Sequence, residues 1–263
     1  MNRVSVIMGI YNCSKTLSEA LDSLQNQTYQ NFKIILCDDG SSDNTYEVAK
    51  SYAERYPSIV LIRNERNQGL NYTLNRCLEF ADTEYCARMD GDDISKPDRL
   101  EKEVAFLDSH PEYAIVSTPM EYFDDKGVFR VGRGRGEIKK TDFLYGTPIS
   151  HAPCMVRRDA LISVGGYSVS ERYLRVEDYN LWFKMYAKGY KAYVLIEPYY
   201  QMRDDRNAKA RRNWQGRLNE SYVMRTGFKM IGLPWYYQLY SLRPLLIGLL
   251  PGFLYDWLHK NWH

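Results

Sequence analysis

The nine residues Tyr85-Cys86-Ala87-Arg88-Met89-Asp90-Gly91-Asp92-Asp93 join a strand-like run to a turn with three carboxylates in four positions. Pro97 can open a helix that extends to about residue 109, and residues 113–118 again have the composition of a strand. A strand, a turn, a helix and a second strand in succession predict an α/β fold. The acidic turn follows the end of a strand, which is where open sheets bind ligands.

The same alternation of strand and helix signals continues back to the N-terminus. Apolar, β-branched runs predict strands at residues 4–10, 32–37 and 59–63. Leucine spacing and capping residues predict helices at residues 14–27, 42–55 and 69–81. Short turns join these units, so we expect a Rossmann-like, mostly parallel sheet with helices on both faces.

The pattern changes after residue 118 and divides the chain into three segments, 1–118, 119–205 and 206–263. In the second segment, residues 124–127 predict a hairpin turn and residues 132–136 a mobile glycine-rich loop. That loop carries Arg133 and Arg135, which suit either a lid over a ligand or a solvated basic loop. A further helix is predicted at 178–188 in the same segment.

Composition narrows the classes of function. The chain has 263 residues and a formal net charge of +2, which gives no reason to expect nucleic-acid binding. Its five cysteines form no Cys-x-x-Cys pair, which is typical of buried thiols in a reducing compartment. No segment has the pattern of a signal peptide or the length of a membrane-spanning helix, so we expect a cytoplasmic protein.

Three predicted strands end in polar residues that suit a nucleotide and a metal ion. The acidic turn at residues 90–93 offers the oxygen ligands that Mg²⁺ or Mn²⁺ prefers, although it could also simply cap the following helix. Asp39 can accept a hydrogen bond from an N–H of a base, and Tyr11 can stack on the same base. No dinucleotide glycine fingerprint or P-loop follows the first strand.

These segments together resemble the inverting family 2 glycosyltransferases of GT-A fold, over roughly residues 3–205. The matching stretches are Ser5-Val6-Ile7 to Tyr11-Asn12, Asp38-Asp39-Gly40-Ser41-Ser42-Asp43, Asn67-Gln68-Gly69-Leu70 and Asp90-Gly91-Asp92-Asp93. The resemblance implies a nucleotide-sugar-binding half at 1–118 and an acceptor-binding half with the catalytic base at 119–205. It also implies that Tyr11 and Asp39 hold uridine, and that Asp90 and Asp92 bind ribose, diphosphate and the metal ion.

Glu177-Asp178 resembles the acidic pair that these enzymes carry at the start of a helix. The resemblance implies that Asp178 is the base that deprotonates the acceptor; the alternative is a helix cap. His151 stands where related enzymes often carry a histidine near the donor sugar, but a lone histidine is as readily structural. Arg203 could meet the diphosphate or pair with Asp204 or Asp205 instead. Arg66 could touch the base or be solvated.

The third segment is first basic and then rich in Trp, Tyr, Leu and Pro. Its composition suits helices lying at the surface of an anionic membrane, and the alternative is packing on the catalytic domain or a dimer contact. The resemblance implies a metal-dependent, inverting transferase of sugar from a UDP-sugar, and this segment adds the expectation that the enzyme acts at the inner face of the cell membrane. Its acceptor would be a lipid-linked glycan in exopolysaccharide or capsule synthesis.

Two other classes of protein remain open at the level of the sequence. A sugar-1-phosphate nucleotidyltransferase would also bind a nucleotide at the mouth of an α/β sheet, but it needs a glycine-rich, basic loop after the first strand. Residues 10–15, Ile-Tyr-Asn-Cys-Ser-Lys, do not provide one. A non-catalytic or bifunctional protein with a protein-binding, regulatory role would keep the fold without needing all the carboxylates.

Overall fold

A computed structural model of the protein describes residues 2–204 and 213–249. Its strands are β1 Val4–Ile10, β2 Phe32–Asp38, β3 Ile59–Arg63, β4 Tyr85–Arg88, β5 Ile94–Ser95, β6 Ile115–Ser117, β7 Met120–Asp124, β8 Gly127–Val131, β9 Gly136–Glu137, β10 Met155–Arg157, β11 Ala192–Val194 and β12 Tyr200–Arg203. Its α-helices are α1 Leu17–Gln25, α2 Thr45–Arg55, α3 Leu70–Glu79, α4 Arg99–Ser109, α5 Arg158–Ser163, α6 Glu177–Ala187, α7 Trp214–Met230 and α8 Arg243–Leu249. Short 3₁₀ helices span Lys140–Tyr145, Glu171–Tyr173 and Trp235–Leu242.

The main sheet has eight strands in the order β3-β2-β1-β4-β10-β6-β11-β9. The four strands β3, β2, β1 and β4 are parallel, as the repeated βα units predict. Strands β6 and β11 run in the same direction as these four, so the expectation of a mostly parallel sheet is confirmed; the sheet is mixed because β10 runs antiparallel between β4 and β6, and β9 runs antiparallel to β11. The connection into β10 is not a βα crossover, so the rule that makes such strands parallel does not apply to it.

Helices cover both faces of this sheet, as expected. Alternate residues of β1 point to opposite faces, so Val6 and Met8 pack in a cluster with the leucines of α1 and α4. Ile7 faces the other way and belongs to a cluster with Leu74 of α3 and Trp182 of α6. The two clusters hold β1 and β4 between layers of helices and thereby fix where these strands end.

A second sheet, in the order β5-β12-β7-β8, lies beside the acidic turn. Strands β7 and β8 form a hairpin at residues 124–127, which confirms the predicted turn. Strand β5 begins directly after Asp93 and pairs with β12. This sheet therefore anchors the acidic turn from its C-terminal side.

The described part of the third segment packs on the catalytic core. Phe228 of α7 is buried against Phe183 of α6, with ring centroids 5.8 Å apart. The carbonyl of Ile231 accepts a hydrogen bond from Lys140 Nζ at 2.7 Å. None of the helices within residues 2–204 and 213–249 is long and apolar enough to cross a bilayer. The remainder of the predicted tail, residues 250–263, and the basic residues 205–212 lie outside the described residues.

Candidate nucleotide-sugar site

A cavity of about 660 Å³ opens where β1 and β4 end. It is lined by the segment 9–16, by Asp43, by residues 90–92 and by Arg203. The cavity thus brings together four predicted site residues, namely Tyr11, Asp90, Asp92 and Arg203. The ring of Tyr11 is 46% exposed, which leaves it accessible for stacking.

The three carboxylates of the acidic turn have different surroundings. Asp93 is buried, and it accepts hydrogen bonds from the Tyr200 hydroxyl at 2.8 Å and from the Arg203 main-chain N–H at 2.9 Å. Burial, with the charges of Asp90 and Asp92, raises the pKa of Asp93 to about 8. The side chain of Asp92 has no hydrogen-bond partner within the described residues, and it faces the cavity. These environments make Asp93 a structural carboxyl and leave Asp92 available to a ligand.

Asp90 is paired with a residue that the sequence did not single out. Arg88, the last residue of β4, is buried, and its two terminal nitrogens donate to both carboxylate oxygens of Asp90. The Nη1–Oδ2 distance is 2.6 Å. Burial alone lowers the pKa of the Arg88 guanidinium, but the charge of Asp90 raises it above its ordinary value. The charge of Asp90 therefore favours the protonated form of Arg88.

The acidic turn fits a divalent cation of the kind that a diphosphate brings with it. Among the described residues no three His, Cys, Asp or Glu side chains group closely enough to form an all-protein metal cage. Mg²⁺ and similar hard cations instead bind through one or two carboxylates and the oxygens of a substrate phosphate. Asp92 and Asp90, both lining the cavity, supply such a pair of carboxylates.

Asp39 is buried at the end of β2 and holds a neighbouring loop. Its two oxygens accept the main-chain N–H groups of Gln68 at 2.9 Å and Gly69 at 2.8 Å, and Asn64 Nδ2 donates to it at 2.8 Å. Beside it, Gly40 has a φ of +69°, and a Cβ there would lie 2.7 Å from the main chain of Arg66. Asp39 and Arg66 are outside the cavity lining, and the side chain of Arg66 is exposed.

Glu177 and Asp178 form the first turn of α6, as the sequence predicts. Burial, followed by the charge of Glu177, raises the pKa of Asp178 to about 7, while Arg88 opposes this rise. Burial also raises the pKa of Glu177, on which Arg88 and Asp90 act in opposite directions. Neither side chain lines the cavity, but both lie within the electrostatic reach of the Arg88–Asp90 pair.

His151 is half-buried, and its ring packs near Trp182 of α6. Its Nε2 lies 2.8 Å from the Tyr167 hydroxyl. Its ring packs edge-to-face with that of Trp182, with the ring centroids 6.0 Å apart. Burial lowers the pKa of His151 well below its ordinary value, and Arg88 lowers it further, so the ring is neutral at pH 7. These contacts give His151 structural partners and leave a role toward the donor sugar as a prediction.

Arg203 is held in place at one end of the cavity. Its Nε donates to the Asp92 carbonyl at 3.1 Å, its terminal nitrogen pairs with Glu19, and its guanidinium lies over the Phe123 ring. Arg203 also lies 3.9 Å from Asp125 through its Nη1, whereas Asp205, one of the two partners that the sequence suggested, lies outside the described residues. Arg133 and Arg135 are exposed on their loop.

Sequence reasoning missed several residues that shape this site. Lys15 and Asp43 line the cavity, Tyr200 holds the acidic turn, and Arg88 pairs with Asp90. The only sign of Arg88 in the sequence was its charge, which is unusual within the otherwise apolar run 85–89. Its partner could not be deduced, because the pairing depends on how the turn folds back.

The family profile named Glycosyl transferase family 2 matches residues 5–165. This match covers more than half of the chain and includes the cavity walls at segments 9–16 and 90–92. The chain therefore belongs to glycosyl transferase family 2, a family of transferases. Membership of this family does not favour the nucleotidyltransferase alternative.

Similar proteins carry glycosyltransferase names. EpsE of Bacillus subtilis, named as an inferred glycosyltransferase, is 39% identical over 98% of this chain and 94% of its own. The amylovoran biosynthesis glycosyltransferase AmsE of Erwinia amylovora is 30% identical over 96% of this chain and 97% of its own. WfaP of Escherichia coli, a UDP-Glc:α-D-GlcNAc-diphosphoundecaprenol β-1,3-glucosyltransferase, is 28% identical over 77% of this chain and 78% of its own.

Two solved structures share the fold. Residues 1–349 of Staphylococcus aureus TarS, in complex with UDP, superpose with a TM-score of 0.70 at 20% identity, over 92% of this chain and 69% of that one. The mannosyltransferase PcManGT of Pyrobaculum calidifontis, in complex with GDP-Man and Mn²⁺, gives a TM-score of 0.67 at 20% identity, over 98% and 79%. At this identity the likeness establishes the GT-A-like fold.

Proposed function

We propose that this protein transfers a sugar from a UDP-sugar to an acceptor hydroxyl with inversion at the anomeric carbon. The observation that carries the proposal is the placement of two carboxylate pairs around one buried guanidinium. Asp90 and Asp92 line the cavity at the strand ends, and Glu177 with Asp178 lies within reach of the same Arg88 charge. An inverting transfer of this kind needs carboxylates in two roles. One pair binds the donor's metal ion and diphosphate, and the other takes the proton from the acceptor hydroxyl.

On the donor side, Tyr11 would stack on the base and Asp39 would recognise uracil through the loop it holds. Asp92 and Asp90 would bind a Mn²⁺ or Mg²⁺ ion, which stabilises the negative charge of the leaving diphosphate when bound. Arg203 lines the same cavity and adds a positive charge near that group. UDP in the TarS complex and Mn²⁺ in the PcManGT complex support this assignment by analogy of fold.

On the acceptor side, Asp178 would take the proton from the attacking hydroxyl. Its pKa of about 7 matches a base that is ionised near neutral pH and can still accept a proton. The start of a helix stabilises the ionised form. Attack from the face opposite the diphosphate then converts an α-linked donor into a β-linked product.

The acceptor that the relatives favour is a lipid-linked glycan of a cell-envelope polysaccharide or exopolysaccharide. The name of WfaP specifies a diphosphoundecaprenol-linked sugar as its acceptor, and the name of AmsE specifies synthesis of a polysaccharide. A lipid-linked acceptor and a nucleotide-sugar donor meet at the cytoplasmic face of the cell membrane. We therefore place this enzyme there as a peripheral protein.

An apolar surface supports that placement. The 3₁₀ helix Trp235–Leu242 and α8 pack on α7 on one side and expose large apolar side chains on the other. Trp235 is 81% exposed, and Leu249 is 72% exposed. Basic residues lie close to these elements in the sequence: Lys229 is in the last turn of α7, and Arg243 is the first residue of α8. Aromatic, aliphatic and basic side chains in this combination suit the interface of an anionic bilayer.

The proposed donor is tested by thermal shift with UDP, CDP, GDP and ATP, each with Mn²⁺, followed by the same assay with intact UDP-sugars. We expect UDP and one UDP-sugar to stabilise the protein, because ligands that bind only the folded state raise its melting temperature. Stabilisation by CDP equal to that by UDP would contradict the assignment of Tyr11 and Asp39. The anomeric configuration of the product, read by NMR, tests inversion separately.

A further inference from the structure

Arg88 is a buried charged residue beside the cavity, with 5% of its surface accessible. Both of its terminal nitrogens are engaged by Asp90, in the two-pronged geometry that gives arginine–carboxylate pairs their strength. Its main-chain carbonyl accepts a hydrogen bond from Arg99 Nη2 at 2.7 Å. The backbone at this position is therefore fixed, and only the guanidinium can exchange partners.

The third nitrogen of this guanidinium, Nε, is unused. The Nε–H of Arg88 is buried and has no hydrogen-bond partner among the described residues. A buried donor without an acceptor destabilises the folded protein, because it has lost its hydrogen bond to water. An acceptor that enters the site would recover that cost, and phosphate oxygens are suitable acceptors for a guanidinium.

The pair also changes what the acidic turn offers to a cation. Asp90 and Asp92 would together carry two negative charges toward the cavity, but Arg88 neutralises the first of them. A divalent cation arriving alone therefore meets one free carboxylate and one that is held in an ion pair. Breaking a buried ion pair is costly unless new interactions replace it. A diphosphate that arrives with the cation supplies both new ligands for the metal and new acceptors for Arg88.

We propose that Arg88 is a positioning residue that serves as an internal counter-ion, holding Asp90 until a divalent cation and a nucleoside diphosphate bind together. This inference rests on the proposed function, because it assumes a diphosphate and a metal ion in this cavity. It adds a coupling between the two ligands: each binds more tightly in the presence of the other, and Arg88 is the source of much of that coupling. Thermodynamic linkage requires the effect to be reciprocal.

The test is a titration with Mn²⁺, followed by the electron paramagnetic resonance signal of free Mn²⁺, with and without UDP. We expect the wild type to bind Mn²⁺ weakly alone and more tightly with UDP. In Arg88→Met, Asp90 loses its counter-ion, so Mn²⁺ alone should bind about tenfold more tightly and the enhancement by UDP should fall about tenfold. Arg76→Met, which removes an arginine from an exposed ion pair with Glu79, is the matched control and should titrate as the wild type does.

A residue with only a structural role would give the opposite result, because its loss would disorder the turn and weaken Mn²⁺ binding. Unchanged or weaker binding of Mn²⁺ alone by folded Arg88→Met overturns the proposal. If that variant does not fold, Arg88→Lys replaces it, since lysine keeps the charge but loses the two-pronged contact. A smaller rise in Mn²⁺ affinity is then expected, and no rise overturns the proposal. Absence of UDP binding by the wild type would instead refute the proposed function itself.

Discussion

The hydroxyl of Tyr200 lies 2.8 Å from Oδ2 of Asp93, although 107 positions separate the two residues in the chain. The same hydroxyl oxygen accepts the main-chain N–H of Asp90 at 3.2 Å. One buried side chain of β12 therefore fixes two points of the acidic turn. The second sheet thus sets the position of the carboxylates that the first sheet presents to the cavity.

Replacing Tyr200 by Phe should loosen this turn. The change leaves the buried Asp93 carboxyl without one of its two partners, which costs about 1–3 kcal/mol of folding free energy. We expect a lower urea midpoint and weaker binding of UDP with Mn²⁺, measured by calorimetry. Tyr199→Phe is the matched control, because the Tyr199 side chain has no hydrogen bond with the described residues. Equal losses in both variants would refute the special role of Tyr200.

Asp92→Asn should abolish transfer and weaken binding of UDP in the presence of Mn²⁺. The substitution keeps the shape of the side chain and removes the carboxylate charge that faces the cavity. The effect on UDP should disappear when Mn²⁺ is withheld, because Asp92 acts on the nucleotide through the cation. The comparison is made by calorimetry with and without EDTA. Full activity of the variant with Mn²⁺ would mean that the metal site lies elsewhere.

Asp178→Asn should slow transfer by about 10²–10⁴-fold and leave UDP binding almost unchanged, as expected for loss of a positioned general base. In the wild type, kcat/KM should fall as the pH drops below about 7, because the Asp178 carboxylate is then protonated. Rates from pH 5 to pH 9 at saturating metal check both points. Near-normal transfer by Asp178→Asn, with loss in Glu177→Gln, would assign the base to Glu177.

The substitution Asp178→Asn should also stabilise the folded protein at alkaline pH. Burial raises the pKa of Asp178 in the folded state, so the folded protein holds this proton more tightly than the unfolded chain does. Its contribution is fully present at low pH and is lost as the pH rises through about 7. We expect Asp178→Asn to melt above the wild type at pH 8, with the difference vanishing near pH 4. The control is Asp159→Asn, at a side chain that is fully exposed, and this variant should melt as the wild type does at both pH values.

The sequence was sufficient for the half of the fold that positions the donor. Strand β1 spans the predicted residues, and α3 and α6 differ from their predicted ranges by one or two residues at each end. These elements are long and regularly patterned, so local periodicity determines them. The ends of β1 and β4 then meet at one edge of the sheet, which brings Tyr11 to the same cavity as Asp90.

The remaining features of the fold and of the site depend on contacts that local sequence patterns do not reveal. Strand β10 has three residues, too few to show a period, and its antiparallel direction is set by pairing with β4 and β6. The pairing of Arg88 with Asp90 was equally hidden, because a charged residue within an apolar run does not reveal its partner. The extent to which Asp178 is buried also depends on packing around α6, so no sequence pattern could supply its raised pKa.

The last prediction concerns the apolar surface of the C-terminal part. Six large side chains of the 3₁₀ helix and α8 are exposed there: Trp235, Tyr236, Leu239, Leu242, Leu246 and Leu249. Transfer of such a side chain into lipid contributes at most about 1.5–3 kcal/mol, and basic residues near an anionic surface add about 1 kcal/mol each. Partial insertion of a few of them is therefore enough to hold the protein on a vesicle.

The triple variant Trp235→Ser, Leu239→Ser and Leu246→Ser should lose flotation with anionic liposomes and keep its UDP affinity, because all three side chains are exposed and none lines the cavity. A control with three exposed apolar residues elsewhere, Val128→Ser, Ile162→Ser and Ile196→Ser, should float as the wild type does. Truncation after Gly232 should give the same soluble, UDP-binding protein, because α7 keeps its buried contacts with α6. Flotation of the triple variant at the wild-type level would show that these side chains do not hold the protein on the membrane.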